Sequence, residues 1–211
     1  MDKSERRTQF NRQNILDTAK KLFLDKGVEK TTMDEIASQA DYSKSTVYVY
    51  FKSKEDIYYH IVLEYMNLLK LGLEGCITKD EEVESCYYAI CNTLVDFERN
   101  YPMYFDCILG KISIDEKEFA KLPVLAKIYE VGEQINALIV GFFEKAMILG
   151  YIDAHTRPLP TVFVFWASIC SLISVSTKKE DYFQKSLGMN REEFLQYGFE
   201  LLLSSIRRTT K

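Results

Sequence analysis

Apolar side chains recur at the spacing of an α-helix along most of the chain. Residues 12–26 illustrate the pattern, with apolar residues at i, i+1, i+4, i+7 and i+8, as on one face of a helix. They are Ile15, Leu16, Ala19, Leu22 and Phe23. Similar patterns predict helices over 33–40, 44–51, 54–73, 84–101, 102–109, 123–149, 158–177 and 191–208. The sequence therefore predicts an all-α fold, with irregular segments at 1–11, 72–84, 111–121 and 151–158.

The segment 31–57 contains two short predicted helices separated by a tight turn. Thr32 is predicted to cap the first helix, and Glu35, three residues later, completes a capping box. Residues 41–42 form a turn of the length that a helix-turn-helix motif requires. Ser43 is predicted to cap the second helix. The order of helix, turn and helix is thus already contained in local signals.

The second short helix, 44–51, offers hydrogen-bond donors and contains no carboxylate. Its donors stand where a recognition helix would meet phosphates and base edges. They are Lys44, Ser45, Thr46, Tyr48 and Tyr50. Two amphipathic helices could also belong to the core of any helical domain. The donors and the shortness of this helix favour DNA binding by a helix-turn-helix motif.

Residues 12–57 resemble the DNA-binding domain of TetR-family transcriptional regulators. The resemblance is carried by Ile-Leu-Asp-Thr-Ala to Leu-Phe over 15–23 with Gly-Val at 27–28, by Thr-Thr-x-x-x-Ile-Ala over 31–37, and by Ser-x-x-Thr-Val-Tyr-x-Tyr-Phe-x-Ser-Lys-Glu over 43–55. It implies an N-terminal three-helix helix-turn-helix domain, predicted over 1–53. A larger helical effector-binding and dimerisation domain is expected over 54–211.

The same resemblance implies a regulator, expected to be a repressor, that binds a palindromic operator in double-stranded DNA as a homodimer. A small apolar or aromatic effector would release it. Contacts with DNA bases and backbone are expected from Ser43, Lys44, Ser45, Thr46, Tyr48 and Tyr50. Phosphate contacts are expected from Thr31, Thr32, Lys52 and Lys54.

The helix 158–177 carries no charged residue over 20 positions. This length could span a bilayer, but serines, threonines and two prolines dilute the segment and favour a buried helix of a soluble protein. A helix that is apolar nearly all round must be covered on several sides, which suggests a partner subunit. The resemblance implies that helices 160–177 and 191–208 form the homodimer interface.

The resemblance also implies an effector cavity in the C-terminal region. Such cavities are mostly apolar and contain a few well-placed polar groups. The residues expected to line it are Tyr87, Cys91, Tyr104, Cys107, Tyr129 and Trp166. Most other aromatic residues of this region are expected to pack in the core.

One row of metal-ligand residue types favours a different interpretation. Asp56, His60 and Glu64 stand at i, i+4 and i+8, one helical row of metal-ligand types, but charged residues at this spacing more often form a solvated face. The chain contains no GxSxG, glycine-rich phosphate loop or HExxH motif. We therefore expect no enzyme activity, no cofactor and no resident metal, and keep as the alternative a ligand-binding or metal-sensing helical protein whose first domain is not used on DNA.

Charge and cysteine content fit a specific DNA-binding protein of the cytoplasm. The net charge is −4, with 11 basic and 10 acidic residues in 1–60 and 16 and 21 in 61–211, which argues for a small DNA footprint. Five cysteines without a CxxC pair indicate free thiols in a reducing compartment. Lys3, Arg6 and Arg7 either belong to a solvated tail or reach a minor groove.

Overall fold

The computed structural model describes residues 2–77, 82–109 and 115–208, which contain α-helices and no β-strand longer than an isolated bridge. In chain order the helices are α1 (Lys3–Lys26), α2 (Met33–Gln39), α3 (Lys44–Tyr50), α4 (Lys54–Cys76), α5 (Val83–Asn100), α6 (Pro102–Phe105), a 3-10 helix (Asp106–Leu109), α7 (Glu116–Lys121), α8 (Pro123–Ile148), α9 (Pro158–Lys178), α10 (Glu180–Ser186) and α11 (Arg191–Ile206). The prediction of an all-α fold is confirmed.

The chain divides into two compact units. As far as they are described, the first comprises Met1–Met66 with Ile112–Glu130, and the second comprises Asn67–Lys111 with Val131–Lys211. The boundary falls inside α4 and inside α8. The division into functional domains at residue 53 stays a prediction.

In the first unit, α1, α2 and α3 share one core. The apolar stripe of α1, including Ile15 and Phe23, is buried together with Ile36 of α2 and Val47 of α3. Phe51, directly after α3, is 1% exposed. The predicted three-helix arrangement follows from these apolar faces, because each short helix has only one stripe to bury.

Helix α1 begins at Lys3, so the prediction of an irregular segment over 1–11 is wrong. Asp2 is its N-cap residue: the Asp2 side chain accepts a hydrogen bond from the Lys3 backbone N–H, and Glu5 completes a capping box. At the other end, Gly27 has φ of 83° and donates its N–H to the carbonyl of Phe23. The left-handed backbone at this position suits glycine.

Two further segments differ from the predictions. Residues 116–121, expected to be irregular, form α7, whose N-cap Asp115 accepts a hydrogen bond from the N–H of Lys117. Residues 111–114 of the same predicted connection, and 78–81 of the predicted 72–84 connection, lie outside the described residues. The short helix α10 was not predicted, because Glu180–Ser186 offers only one buried apolar side chain, Phe183.

In the second unit, α9 packs against α5 and α11. The approach to α11 is close: a Cβ added to Gly198 would lie 2.9 Å from a methyl carbon of Leu172. A nearly buried ion pair connects α11 to α5, with Arg191 Nη2 2.9 Å from Glu98 Oε2. Arg191 Nε also donates to the buried hydroxyl of Ser176 on α9. Arg191 of α11 therefore contacts both α5 and α9.

One side of α9 and α11 faces away from the rest of the chain. Helix α9 is long and apolar enough to cross a membrane, yet only 33% of its most apolar window is buried within this chain. Its exposed residues include Phe163 and Val164, and on α11 Tyr197 and Leu201 are 61% and 58% exposed. The buried face of α11 is instead formed by Leu195, Gly198, Phe199 and Leu203.

Candidate DNA-binding surface and effector cavity

The predicted caps hold α2 and α3 in place. The Thr32 hydroxyl accepts a hydrogen bond from the N–H of Glu35, and the Glu35 carboxylate accepts one from the N–H of Thr32. In the turn, Asp41 has φ of 59°, a conformation that aspartate tolerates better than most residues. Ser43 then caps α3 by accepting from the N–H of Thr46.

One face of α3 lies open to solvent and contains no carboxylate. Lys44, Ser45, Tyr48 and Val49 are exposed, whereas Val47 on the opposite face is fully buried. The hydroxyl oxygens of Ser45 and Thr46 each lie 2.8 Å from that of Ser43. This face offers an ammonium group and hydroxyls, the groups that bind phosphate oxygens and base edges.

Lys44 is paired, but with an exposed partner. Its Nζ donates to Asp34 Oδ2 at 2.8 Å, and both side chains are more than half exposed. This hydrogen bond raises the pKa of Lys44. An exposed ion pair contributes little stability, so Lys44 can exchange this carboxylate for a phosphate.

Tyr50 differs from Tyr48 in its surroundings. The Tyr50 hydroxyl accepts a hydrogen bond from Asn11 Nδ2 at 3.0 Å, and its carbonyl accepts one from Arg12 Nη1 at 3.2 Å. Tyr42 in the turn donates to Asn11 Oδ1. The end of α3 is therefore attached to α1 through polar contacts.

The four residues predicted to hold phosphates occupy different environments. Thr31 is 1% exposed and donates its hydroxyl to the carbonyl of Gly27, so its side chain is inaccessible to a phosphate. Thr32 is exposed at the start of α2. Lys52 Nζ donates to the carbonyl of Lys121 and Lys54 Nζ to that of Glu29, and the Lys52 bond is made from an exposed side chain.

The Glu35 carboxylate next to Thr32 is held in its charged form. Its hydrogen bond with Lys26, and those with the backbone and hydroxyl of Thr32, lower its pKa to about 2. The negative charge at this end of α2 stabilises the helix N-terminus.

A cluster around Arg12 was not found from the sequence. The Arg12 guanidinium lies 4.3 Å from the centre of the Phe51 ring, and its Nη2 is 2.8 Å from His60 Nε2. Asp56 Oδ1 lies 3.6 Å from the same His60 nitrogen. Because a guanidinium only donates, Nε2 of His60 accepts and the imidazole is neutral. Desolvation by burial and the charge of Arg12 lower the pKa of His60 to about 4.

The other two residues of the predicted metal row, Asp56 and Glu64, also have partners within the protein. The Asp56 carboxylate accepts a hydrogen bond from the N–H of Lys52. Glu64 pairs with Lys20 at 2.8 Å. Each member of the row therefore has a protein partner, and the described residues contain no group of three or more metal-ligand side chains.

The second unit contains a small apolar cavity. Its volume is about 20 Å³, which is room for about one water molecule. Aromatic and aliphatic side chains of α5, α8 and α9 line it: Tyr87, Ile90, Leu94, Ile139, Phe142, Phe143, Val162, Phe165, Trp166 and Ile169. No charged residue is among them, so the cavity suits a neutral apolar molecule.

Of the six predicted effector residues, Tyr87 and Trp166 line this cavity. Tyr87 donates its hydroxyl to the carbonyl of Phe199, and burial raises its pKa. Cys91 is fully buried, which raises the pKa of its thiol to about 12.

The remaining three predicted effector residues lie elsewhere. Tyr104 is buried near the start of the 3-10 helix, and Cys107 is half-buried with its Sγ 3.7 Å from the carbonyl of Met103. Tyr129 belongs to the first unit, where its ring is 6.2 Å from that of Phe119. Whether any of the six contacts an effector stays a prediction.

Comparisons with known proteins agree with this geometry. Residues 15–61 match the family of bacterial regulatory proteins named tetR. The chain is 25% identical to the biofilm operon icaADBC HTH-type negative transcriptional regulator IcaR of Staphylococcus aureus (strain Newman), over 138 residues, 64% of this chain and 70% of IcaR. Both matches are to regulators of transcription rather than enzymes.

Solved structures share the fold. The fatty acid degradation regulator FadR from Bacillus halodurans superposes with a TM-score of 0.68 and 16% identity, over 94% of this chain and 97% of FadR. SmeT, in a complex with triclosan, superposes with a TM-score of 0.64 and 16% identity, over 94% of this chain and 92% of SmeT. The family match, the relative and the donor-rich face of α3 lead to one conclusion: this chain is a DNA-binding transcriptional regulator whose N-terminal helix-turn-helix domain is of the TetR family.

Proposed function

We propose that this regulator is a homodimeric repressor that binds a palindromic operator and is released by a small, neutral, apolar or aromatic molecule. The observation that carries the proposal is the exposed face of α3, where Lys44, Ser45 and Tyr48 stand without a carboxylate among them. Its site of action is the cytoplasm, where the DNA is. IcaR, a negative regulator by name, supports repression.

Dimerisation is supported by the exposed apolar faces of α9 and α11. Phe163, Val164, Tyr197 and Leu201 are each about half or more exposed in one chain. Contiguous apolar surface of this kind marks an interaction site. A second copy would bury the same faces in a symmetric contact. Two copies of α3 would then enter major grooves about 34 Å apart.

The effector is proposed to occupy an enlarged form of the apolar cavity. A ligand shifts an equilibrium only through different affinities for its two states. An effector that fits the enlarged cavity stabilises the conformation of the dimer in which the cavity is enlarged. Repression ends because that conformation does not fit the operator. SmeT binds the aromatic compound triclosan, which supports an apolar aromatic effector on this fold.

The recognition surface is tested with a 30-bp duplex selected from random DNA by the full-length protein. Tyr48→Ala removes an exposed donor from α3, whereas Tyr182→Ala removes an even more exposed tyrosine from α10. Fluorescence anisotropy should show roughly a tenfold loss of affinity, about 1.4 kcal/mol, for the first variant only. Equal affinities of the two variants would exclude α3 as the reading element.

The dimer is tested by light scattering with a matched pair of variants. Leu201→Glu places a carboxylate on the exposed face of α11, and Leu187→Glu places one after α10, at a leucine that is 53% exposed. We expect the first to be monomeric and the second to stay dimeric. A dimeric Leu201→Glu protein would remove α11 from the interface. Transcription from a promoter containing the selected duplex then distinguishes repression from activation.

A further inference from the structure

Helix α1 extends two turns beyond the part that packs in the helix-turn-helix core. Residues 2–10 are all exposed, so these turns bury nothing within the chain. The capping box of Asp2 and Glu5 nevertheless starts the helix at Lys3. A helix that begins before its packed part projects a surface past the edge of the core.

The packed part of α1 fixes which way that surface faces. Asn11 exchanges hydrogen bonds with the hydroxyls of Tyr42 in the turn and Tyr50 at the end of α3. Asn14 donates to the carbonyl of Ala40, at the end of α2. The row through these two asparagines therefore faces the turn and the recognition helix.

Helical spacing continues that row into the exposed turns. Residues four and seven positions apart lie on one face of an α-helix, so Arg7 precedes Asn11, and Lys3 precedes Arg7, on the side that faces α3. Arg6, one position earlier, is rotated by about 100° to another side, because a turn has about 3.6 residues. Two neighbouring arginines of equal charge thus face different directions.

The two cations on this row are available for binding. Within the described residues, neither Lys3 nor Arg7 uses its side chain in a hydrogen bond or ion pair. The two carboxylates nearby are engaged at the helix start, where Glu5 accepts from the N–H of Asp2 and Asp2 from that of Lys3. The row thus continues, as positive charge, the side of α1 whose Asn11 contacts Tyr42 in the turn and Tyr50 at the end of α3.

We propose that Lys3 and Arg7 form a second DNA contact, to phosphate groups of the duplex next to the bases read by α3. This inference rests on the proposed operator binding and deepens it. Such contacts fix the orientation of a protein on DNA without reading sequence. DNA is the occupant, rather than a protein partner, because the row continues the recognition surface and contains two cations, with Phe10 as the one exposed apolar side chain of residues 2–10.

The test compares Arg7→Gln with Arg6→Gln in the full-length protein on the selected 30-bp duplex. Both variants remove one charge from adjacent, exposed positions of the same helix, and glutamine retains helix propensity. Each phosphate contact contributes about 0.9 to the slope of log affinity against log salt. We expect Arg7→Gln to lower that slope by about one, and Arg6→Gln to leave it nearly unchanged.

The same slope predicts how the loss of affinity changes between two salt concentrations. For Arg7→Gln, the loss of affinity at 50 mM salt should exceed that at 200 mM by about threefold. Adding Lys3→Gln should lower the slope by about one more. Equal slopes for the Arg6 and Arg7 variants, or no change in either, would overturn the inference while wild-type binding stands. Failure of the wild-type protein to select any duplex would overturn the proposed operator binding as well.

Discussion

His60 should remain uncharged at a pH where an ordinary histidine is mostly protonated. Burial and the Arg12 guanidinium lower its pKa from 6.5 to about 4, and the charge of Lys127 acts in the same direction. Asp56 opposes this effect. At pH 6 a pKa of 6.5 gives about three-quarters protonation, whereas a pKa of about 4 gives about 1%.

The sign of the effect on stability follows from linkage. Because the folded pKa lies below the unfolded pKa, the unfolded chain takes up the proton first, and the folded state loses stability as pH falls below about 6.5. The loss levels off near pH 4. Between pH 7.5 and pH 5 these pKa values correspond to a loss of at most about 2 kcal/mol in the free energy of unfolding.

Nuclear magnetic resonance measures the protonation directly. The chain contains two histidines, His60 and His155, so labelled imidazoles give two signals, assigned with a His155→Gln variant. Between pH 8 and pH 6 the His60 signal should barely move. In Arg12→Gln its midpoint should rise, because a nearby positive charge is removed. A wild-type midpoint near 6.5, or one unaffected by Arg12→Gln, would refute the cluster as described.

Three other predictions concern function and stability. Arg12→Gln should weaken binding to the selected duplex with little change in the salt slope, because Arg12 holds the carbonyl of Tyr50; a lower slope would make it a phosphate contact. Lys54→Ala should instead lower the slope by about one and weaken binding to all sequences alike. Arg191→Ala should cost about 3 kcal/mol in urea unfolding, since it removes the ion-pair partner of the 12%-exposed Glu98 and leaves it only the hydroxyl of Thr177; Arg99→Ala, whose side chain is 57% exposed, is the control.

The helix-turn-helix motif could be predicted from the sequence because its signals are local. The caps of α2 and α3 join residues three positions apart, Thr32 with Glu35 and Ser43 with Thr46. The start of α1 was missed although its signal has the same spacing, since Asp2 and Glu5 precede polar residues with no apolar periodicity. Periodicity detects the packed part of a helix and not an exposed extension.

Contacts between distant residues could not be predicted in the same way. Arg12 and His60 are 48 positions apart, and the histidine was assigned to a solvated helical row. The cavity lining combines residues of α5, α8 and α9, and the sequence identified Tyr87 and Trp166 without their neighbours. Aromatic residues are abundant in this region, so composition alone does not distinguish a cavity wall from a filled core.

The small size of the cavity has a kinetic consequence. The effector proposed above is larger than a space of about 20 Å³, so the walls around Tyr87 and Trp166 must separate for it to bind as proposed. The observed binding rate should then stop rising with ligand concentration and reach the rate at which the protein opens. Chemically different effectors would share that limiting rate, and would differ only in how slowly they leave.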